Sequence, residues 1–141
     1  YDRAQQSVGR PIPDGPFQGV PYLLKDMVAH RGTTTTFGNA FMKRINFKPH
    51  ESHEVVARSE RAGLIVVGKT NACELGLLPT TEPAAYGPTA NPWDAARSPG
   101  GSSGGSASAV AAGLVFECVI IIGGLLGGAV AWLTRPRSER L

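Results

Sequence analysis

The chain has 141 residues, enough for one domain with a buried core. With 42% hydrophobic and 18% charged residues, its composition is typical of a globular protein and not of a disordered one. The formal net charge of +3 is small and scattered, which argues against nucleic acid as a partner. Cys73 and Cys118 match neither a metal-binding nor a disulfide pattern, so we expect a reducing, cytoplasmic compartment. The sequence starts at Tyr1 without a signal sequence, and we expect N-terminal residues to be missing.

Strand and helix patterns alternate along the chain, which predicts the α/β fold class. The predicted elements are a surface loop over 1–18, a strand over 19–24, a helix over 53–62, a buried strand over 64–67, a short helix over 72–75 and a long ordered loop over 79–97. Ser52 is the predicted N-cap of the longer helix, and Gly63 is predicted to follow its C-terminus.

The most informative segment is S-P-G-G-S-S-G-G-S-A-S-A, residues 98–109. Four glycines bracket two serines in a run that we expect to be neither regular helix nor strand: Gly100, Gly101, Gly104 and Gly105 around Ser102 and Ser103. Such a backbone can bring N–H groups close to a ligand, which predicts an anion cradle or a serine-based reaction centre. A flexible linker is the alternative, but the run leads directly into a predicted helix over 107–112.

Lys25 follows an apolar stretch at the end of the first predicted strand, which would carry its side chain toward the interior. A buried lysine loses its proton readily, and neutral lysine is a competent general base. The alternative is that its ammonium pairs with Asp26 or extends into solvent. We favour the base, because a serine reaction centre needs one and no histidine lies in a comparable context.

Three other patterns carry less weight. Residues 63–70 match G-x-x-x-x-G-K-T, but the intervening residues are themselves the predicted strand and could not wrap around a phosphate. Residues 50–54 hold two histidines and two glutamates without metal-ligand spacing, which predicts a solvated helix start and no metal site. Cys73 has no basic neighbour in sequence and is predicted to be a buried, inert thiol.

Five separated motifs resemble the amidase signature family in order and spacing, over roughly residues 15–115. They are G-V-P-Y-L-L-K-D (19–26), V-V-G-K-T-N (66–71), T-T-E-P (80–83), N-P-W-D (91–94) and S-P-G-G-S-S-G-G-S-A (98–107). Within the family, T-T-E-P with N-P-W-D resembles bacterial amidases, including cyclic-amide hydrolases. The glutaminase-like subunit of a tRNA-dependent amidotransferase shares the fold and the triad, and it is the alternative.

The resemblance implies a mixed β-sheet flanked by helices and a Ser–cis-Ser–Lys triad that hydrolyses a small-molecule amide without a metal or cofactor. Lys25 corresponds to the triad lysine, and Ser102 corresponds to the middle serine, whose peptide bond is cis. The supporting positions are Ser103, in the hydrogen-bond network, and Gly100, Gly101 and Gly104.

The chain departs from the family pattern after Val115. The nucleophilic serine should lie about two dozen residues after Ser102, in a G-G-S-I-R-like loop that also supplies oxyanion-hole N–H groups. Leu126 stands at that position, and no serine lies between Ser108 and Ser138. No residue of this chain therefore matches the nucleophile, and we expect the chain as given to be inactive.

Residues 1–115 are thus predicted to be the N-terminal part of an amidase signature domain, and 116–141 a divergent segment. Residues 118–133 carry no charge and are mostly apolar, and three arginines follow. Three explanations are open: a reading-frame shift in a larger amidase gene, which we favour, a transmembrane segment that would attach an inactive fragment to a membrane, or a packed core helix. The apolar run is shorter than the about 20 residues that a spanning helix needs.

The reading-frame explanation predicts what the coding DNA contains. Translation after the Val115 codon in the other two frames should reveal a G-G-S-I-R-like loop, whereas the same two frames before that codon should hold no family motif. Sequencing the gene tests this. Absence of the loop from both frames would exclude a frame shift.

Overall fold

The structure, a computed structural model, describes residues 11–115 and the backbone of 117–119. In chain order its elements are strand β1 (Pro21–Lys25), helix α1 (Ala40–Arg44), helix α2 (Glu54–Arg61), strand β2 (Ile65–Thr70), a 3₁₀ turn (Glu74–Gly76), helix α3 (Gly104–Ala111) and strand β3 (Glu117–Val119). The chain is α/β, as predicted.

In the described residues, the three strands form one parallel sheet in the order β2-β1-β3, so β1 lies in the centre. Lys25 is the last residue of β1 and stands opposite Thr70, the last residue of β2. The carboxyl ends of the two strands therefore meet at one edge of the sheet, where parallel sheets usually bind ligands.

Each face of the sheet packs on one of the longer helices. On one face, Tyr22 and Leu24 form a buried cluster with Val56 of α2. On the other face, Leu23 and Val67 pack against Ala109 of α3 and Val115. Successive strand residues point to opposite faces, so β1 places Leu23 and Leu24 in different cores. The described residues thus form three layers, with the sheet in the middle.

The first strand and the longer predicted helix are confirmed within one or two residues. Gly63 follows the C-cap of α2 with a φ of 95°, a conformation that favours glycine. The prediction of Ser52 as the N-cap is wrong, because the helix begins after His53. The Ser52 hydroxyl oxygen instead accepts a hydrogen bond from the backbone N–H of Arg31, 3.0 Å away.

Other boundaries differ from the prediction. β2 continues through Gly68 and Lys69 to Thr70, so the G-x-x-x-x-G-K-T residues lie in extended backbone. The expectation that Gly104 lies outside a helix is wrong, since α3 begins there. The five-residue helix α1 was missed. Its N-terminal sequence signal is Asn39, whose side-chain oxygen accepts hydrogen bonds from two N–H groups of the first turn.

The apolar segment 118–133 lies mostly outside the described residues. Cys118 and Val119 are in strand β3, parallel to β1, and not in a helix. In the part of the chain that the structure describes, no helix is long and apolar enough to cross a membrane.

Two adjacent valines of α2 provide a matched test of the core. Val56 is fully buried against the sheet, whereas Val55 is 44% exposed. We expect Val56→Ala to lower the free energy of unfolding by about 2 kcal/mol, because it removes buried methyl groups and leaves a cavity. Val55→Ala should change it by less than about 0.5 kcal/mol. Chemical denaturation measures both, and equal effects would contradict this packing.

Candidate active site

Lys25 and Ser102, 77 residues apart in sequence, meet at the carboxyl edge of the sheet. The Lys25 Nζ donates a hydrogen bond of 2.5 Å to the Ser102 Oγ. Lys25 is only 3% exposed, and Ser102 is partly buried just before α3. The Gly101–Ser102 peptide bond is cis. The structure thus brings together the two side chains that the sequence analysis selected.

Burial lowers the pKa of Lys25 below its ordinary value, because removal from water disfavours the ammonium form. Cys73, itself buried, acts on this pKa in the opposite direction. A lysine with a lowered pKa holds more neutral amine near physiological pH, which is the form that can accept a proton.

Asp26, the sequence neighbour of Lys25, is engaged elsewhere. Its carboxylate lies 3.4 Å from the Lys69 Nζ and accepts hydrogen bonds from the backbone N–H and the hydroxyl of Thr36. Among the described residues, no ion pair joins Lys25 to Asp26. The alternative expectation of such a pair is therefore wrong.

Thr81 holds the glycine loop in place. Its hydroxyl donates to the carbonyl oxygen of Gly100 at 3.0 Å and accepts from the backbone N–H of Gly104 at 2.9 Å. A Cβ on Gly104 would lie 2.5 Å from this hydroxyl, and a Cβ on Gly101 would lie 2.7 Å from the backbone of Thr80. Both glycines are therefore needed for close packing, while Gly100 has a φ of 83°.

The loop is also tied to the end of β2. The backbone N–H of Cys73 donates to the carbonyl oxygen of Ser102 at 3.2 Å, and Gly105 N–H donates to the Asn71 carbonyl at 3.2 Å. One helical turn after Ser102, the Ser106 hydroxyl lies 2.7 Å from the hydroxyl of Thr70. Since Thr70 stands opposite Lys25 in the sheet, these bonds fix Ser102 relative to Lys25.

Ser103, predicted as a supporting residue, is 1% exposed and is the N-cap residue of α3. Its Oγ has no hydrogen-bond partner among the residues that the structure describes. Ser103 thus lies beside the Lys25–Ser102 pair with a free hydroxyl, and its part in a network stays a prediction.

Sequence reasoning assigned no role to Thr81 or Thr70. Thr81 belongs to the T-T-E-P motif, which carried the resemblance, and Thr70 belongs to V-V-G-K-T-N. The two motifs indicate which segments belong to the family pattern. They do not indicate that a threonine hydroxyl in each segment forms a hydrogen bond with the serine- and glycine-rich segment 98–109.

A scan against family models matches residues 2–130 of the chain to the Amidase family. A curated relative 46% identical over 116 residues is a glutamyl-tRNA(Gln) amidotransferase subunit from Acidothermus cellulolyticus, and the match covers 82% of this chain and 22% of the relative. Another, 48% identical over 104 residues, is the 6-aminohexanoate-cyclic-dimer hydrolase of Paenarthrobacter ureafaciens, covering 73% of this chain and 21% of the relative.

Solved structures of the same two kinds of protein also match this chain. The structure of 6-aminohexanoate cyclic dimer hydrolase with its substrate matches with a TM-score of 0.76 and 44% identity, over 81% of this chain and 23% of that one. The structure of the corresponding glutamyl-tRNA(Gln) amidotransferase subunit from Thermotoga maritima matches with a TM-score of 0.70 and 42% identity, over 74% of this chain and 23% of that one.

The fold and the comparisons together define the class of protein to which the chain belongs. The chain belongs to the Amidase family, the amidase signature enzymes. It spans less than a quarter of the length of the relatives described above.

The lowered pKa of Lys25 has a consequence for stability. Between the folded pKa and the ordinary value of 10.5, the unfolded chain binds more protons than the folded chain, so stability rises with pH. Relative to Lys25→Met, the wild-type free energy of unfolding should therefore increase with pH in this window. The expected gain is about 1.4 kcal/mol for each unit by which folding lowers the pKa.

Denaturant titrations of both chains across this pH range measure the difference. Lys48→Met, at an exposed lysine, is the matched control and should follow the wild type. A parallel pH dependence of wild type and Lys25→Met would contradict the burial of an ionisable Lys25.

Proposed function

We propose that Lys25 and Ser102 are the base and the proton relay of an enzyme that hydrolyses carbon–nitrogen amide bonds. The observation that carries the proposal is the 2.5 Å contact between the Lys25 Nζ and the Ser102 Oγ at the carboxyl edge of the sheet. Family membership supports the reaction class.

In the proposed mechanism, neutral Lys25 accepts the hydroxyl proton of Ser102. Ser102 in turn accepts a proton from a nucleophilic serine, whose oxygen attacks the amide carbonyl carbon. The relay returns this proton to the leaving nitrogen, the C–N bond breaks, and an acyl-enzyme forms. Water, activated by the same pair, hydrolyses the acyl-enzyme and regenerates the serine.

The nucleophilic serine has no counterpart in this chain, because Leu126 stands at the matching position. The relay then has no oxygen to activate. Members of a catalytic triad act as a unit, so loss of one removes nearly the whole contribution of the triad. We therefore infer that the 141-residue chain by itself does not hydrolyse amides.

The relatives supply two candidate substrate classes. The name of one relative gives a cyclic amide dimer as its substrate. The name of the other makes it a subunit of a glutamyl-tRNA(Gln) amidotransferase. We favour a small-molecule amide, and the amidotransferase reaction is the second candidate. The structural match to the cyclic-dimer hydrolase, with a TM-score of 0.76 against 0.70 for the amidotransferase protein, supports this order.

A graft tests the catalytic pair. Residues 11–115 of this chain would replace the matching segment of the 6-aminohexanoate-cyclic-dimer hydrolase, which is 48% identical over 104 residues and would provide the remainder of the domain. The chimera should hydrolyse the cyclic dimer. Ser102→Ala and Lys25→Met should each reduce kcat on the order of 10⁴-fold or more.

Ser108→Ala is the matched serine control, because the described contact of the Ser108 hydroxyl is a hydrogen bond to the carbonyl oxygen of Ala90 and not to Lys25. This variant should keep kcat within a few-fold of the chimera. Full activity of the chimera after loss of Ser102 would overturn the relay assignment.

The inferred inactivity of the chain has its own assay. The purified 141-residue chain should release no ammonia or amine from a linear carboxamide, glutamine or the cyclic dimer, measured by amine detection over hours. Turnover that disappears in Ser102→Ala would overturn the inferred inactivity.

A further inference from the structure

A second lysine, Lys69, is the penultimate residue of β2, the strand paired with the one that ends in Lys25. The Lys69 Nζ is 3.4 Å from the Asp26 Oδ1 and donates a 2.5 Å hydrogen bond to the Thr35 Oγ1. The side chains of Lys69 and Asp26 are only 14% and 5% exposed. This buried ion pair has no place in the proposed proton relay.

The Asp26 carboxylate is the nearest acidic group to Lys25 in sequence, yet its described contacts are with Thr36 and Lys69 and not with Lys25. The backbone N–H of Thr36 donates to its two oxygens at 3.1 and 3.2 Å, and the Thr36 hydroxyl donates to Oδ2. The side chain of Lys69 completes this enclosure. A carboxylate released from it could compete with Ser102 for the Lys25 amine, because opposite charges attract strongly where water is scarce.

We propose that Lys69 is a positioning residue, which binds the Asp26 carboxylate and so leaves the Lys25 side chain to Ser102. The proposal rests on the proposed function, since it matters to catalysis only if Lys25 is the base. Lys69 touches neither Lys25 nor Ser102 in its described contacts, so it would act through Asp26.

The surroundings of the pair allow single substitutions. A cavity of about 410 Å³ borders both charged residues, so water can reach a partner left alone. The cavity is lined by Asp26, Thr34, Lys69, Thr70, Asn71 and Tyr86. On the side of Lys25 itself, Cys73 is the titratable group that acts on the amine.

The test is a charge cycle read at Lys25 in the full 141-residue chain. The pKa of Lys25 would be measured by NMR of its side-chain Nζ and Cε nuclei in the wild type, Lys69→Met, Asp26→Asn and the double variant. Lys69→Met should raise this pKa by about one unit or more, because the Asp26 carboxylate, whose described contacts are then reduced to those with Thr36, can approach Lys25. Asp26→Asn should lower the pKa of Lys25 by a smaller amount. In the double variant, the pKa of Lys25 should be close to its wild-type value.

The additivity of the two shifts separates positioning from simple charge effects. If both charges acted only through space, the two single shifts would have opposite signs, each set by its own distance from Lys25, and would sum to the shift of the double variant. That result, or no shift in Lys69→Met, would overturn the proposal. Lys69→Arg keeps the charge and should resemble the wild type.

The test also covers a variant that does not fold, and it is independent of the test of hydrolysis. If Lys69→Met gives no folded spectrum, the comparison of Asp26→Asn with Lys69→Arg decides: a lowered pKa in the first and a wild-type value in the second support the proposal, and equal values overturn it. The measurement needs no turnover. Failure of the charge cycle therefore leaves the proposed hydrolysis standing, and an inactive graft would remove the hydrolysis without altering the cycle.

Discussion

The contact between the Lys25 Nζ and the Ser102 Oγ is the interaction on which the site depends. It joins the last residue of a central strand to the residue two positions before α3, across 77 residues of sequence. Proton transfer at this site would require both side chains, because the Lys25 amine can act as a base only on a nearby proton donor, and the Ser102 hydroxyl can lose its proton only to a base. The rest of the described fold can be understood as the support of this contact.

Parallel register provides that support. Lys25 stands opposite Thr70, and the Thr70 hydroxyl lies 2.7 Å from the hydroxyl of Ser106, a residue of α3 that follows Ser102 by four positions. A shift of one residue between β1 and β2 would turn Thr70 to the other face of the sheet. The cores on both faces resist such a shift, since Leu23 and Leu24 pack into different clusters. The position of Ser102 therefore depends on apolar packing by residues that take no part in the proposed proton relay.

The α/β class, the first strand and the choice of Lys25 and Ser102 as site residues were predicted from the sequence, because each has a local signal. An apolar run ending in lysine and a Gly/Ser run before a helix can both be read within a few residues. The bonds from Thr81 to the glycine loop have no such signal, because they join segments about twenty residues apart. The start of α3 at Gly104 was missed for the same reason: close packing against Thr81, and not helix propensity, favours glycine there.

Lys25 and Lys69, near the carboxyl ends of neighbouring strands, differ in their partners and therefore in how readily they lose a proton. Burial lowers the pKa of both, but Lys69 has a carboxylate partner that opposes the shift, whereas Lys25 faces a neutral hydroxyl. An amine paired with a carboxylate is held in its charged form, and an amine facing a serine is free to lose its proton. In the proposed arrangement, the Asp26 carboxylate separates the roles of the two lysines, because it binds Lys69 and leaves Lys25 to Ser102.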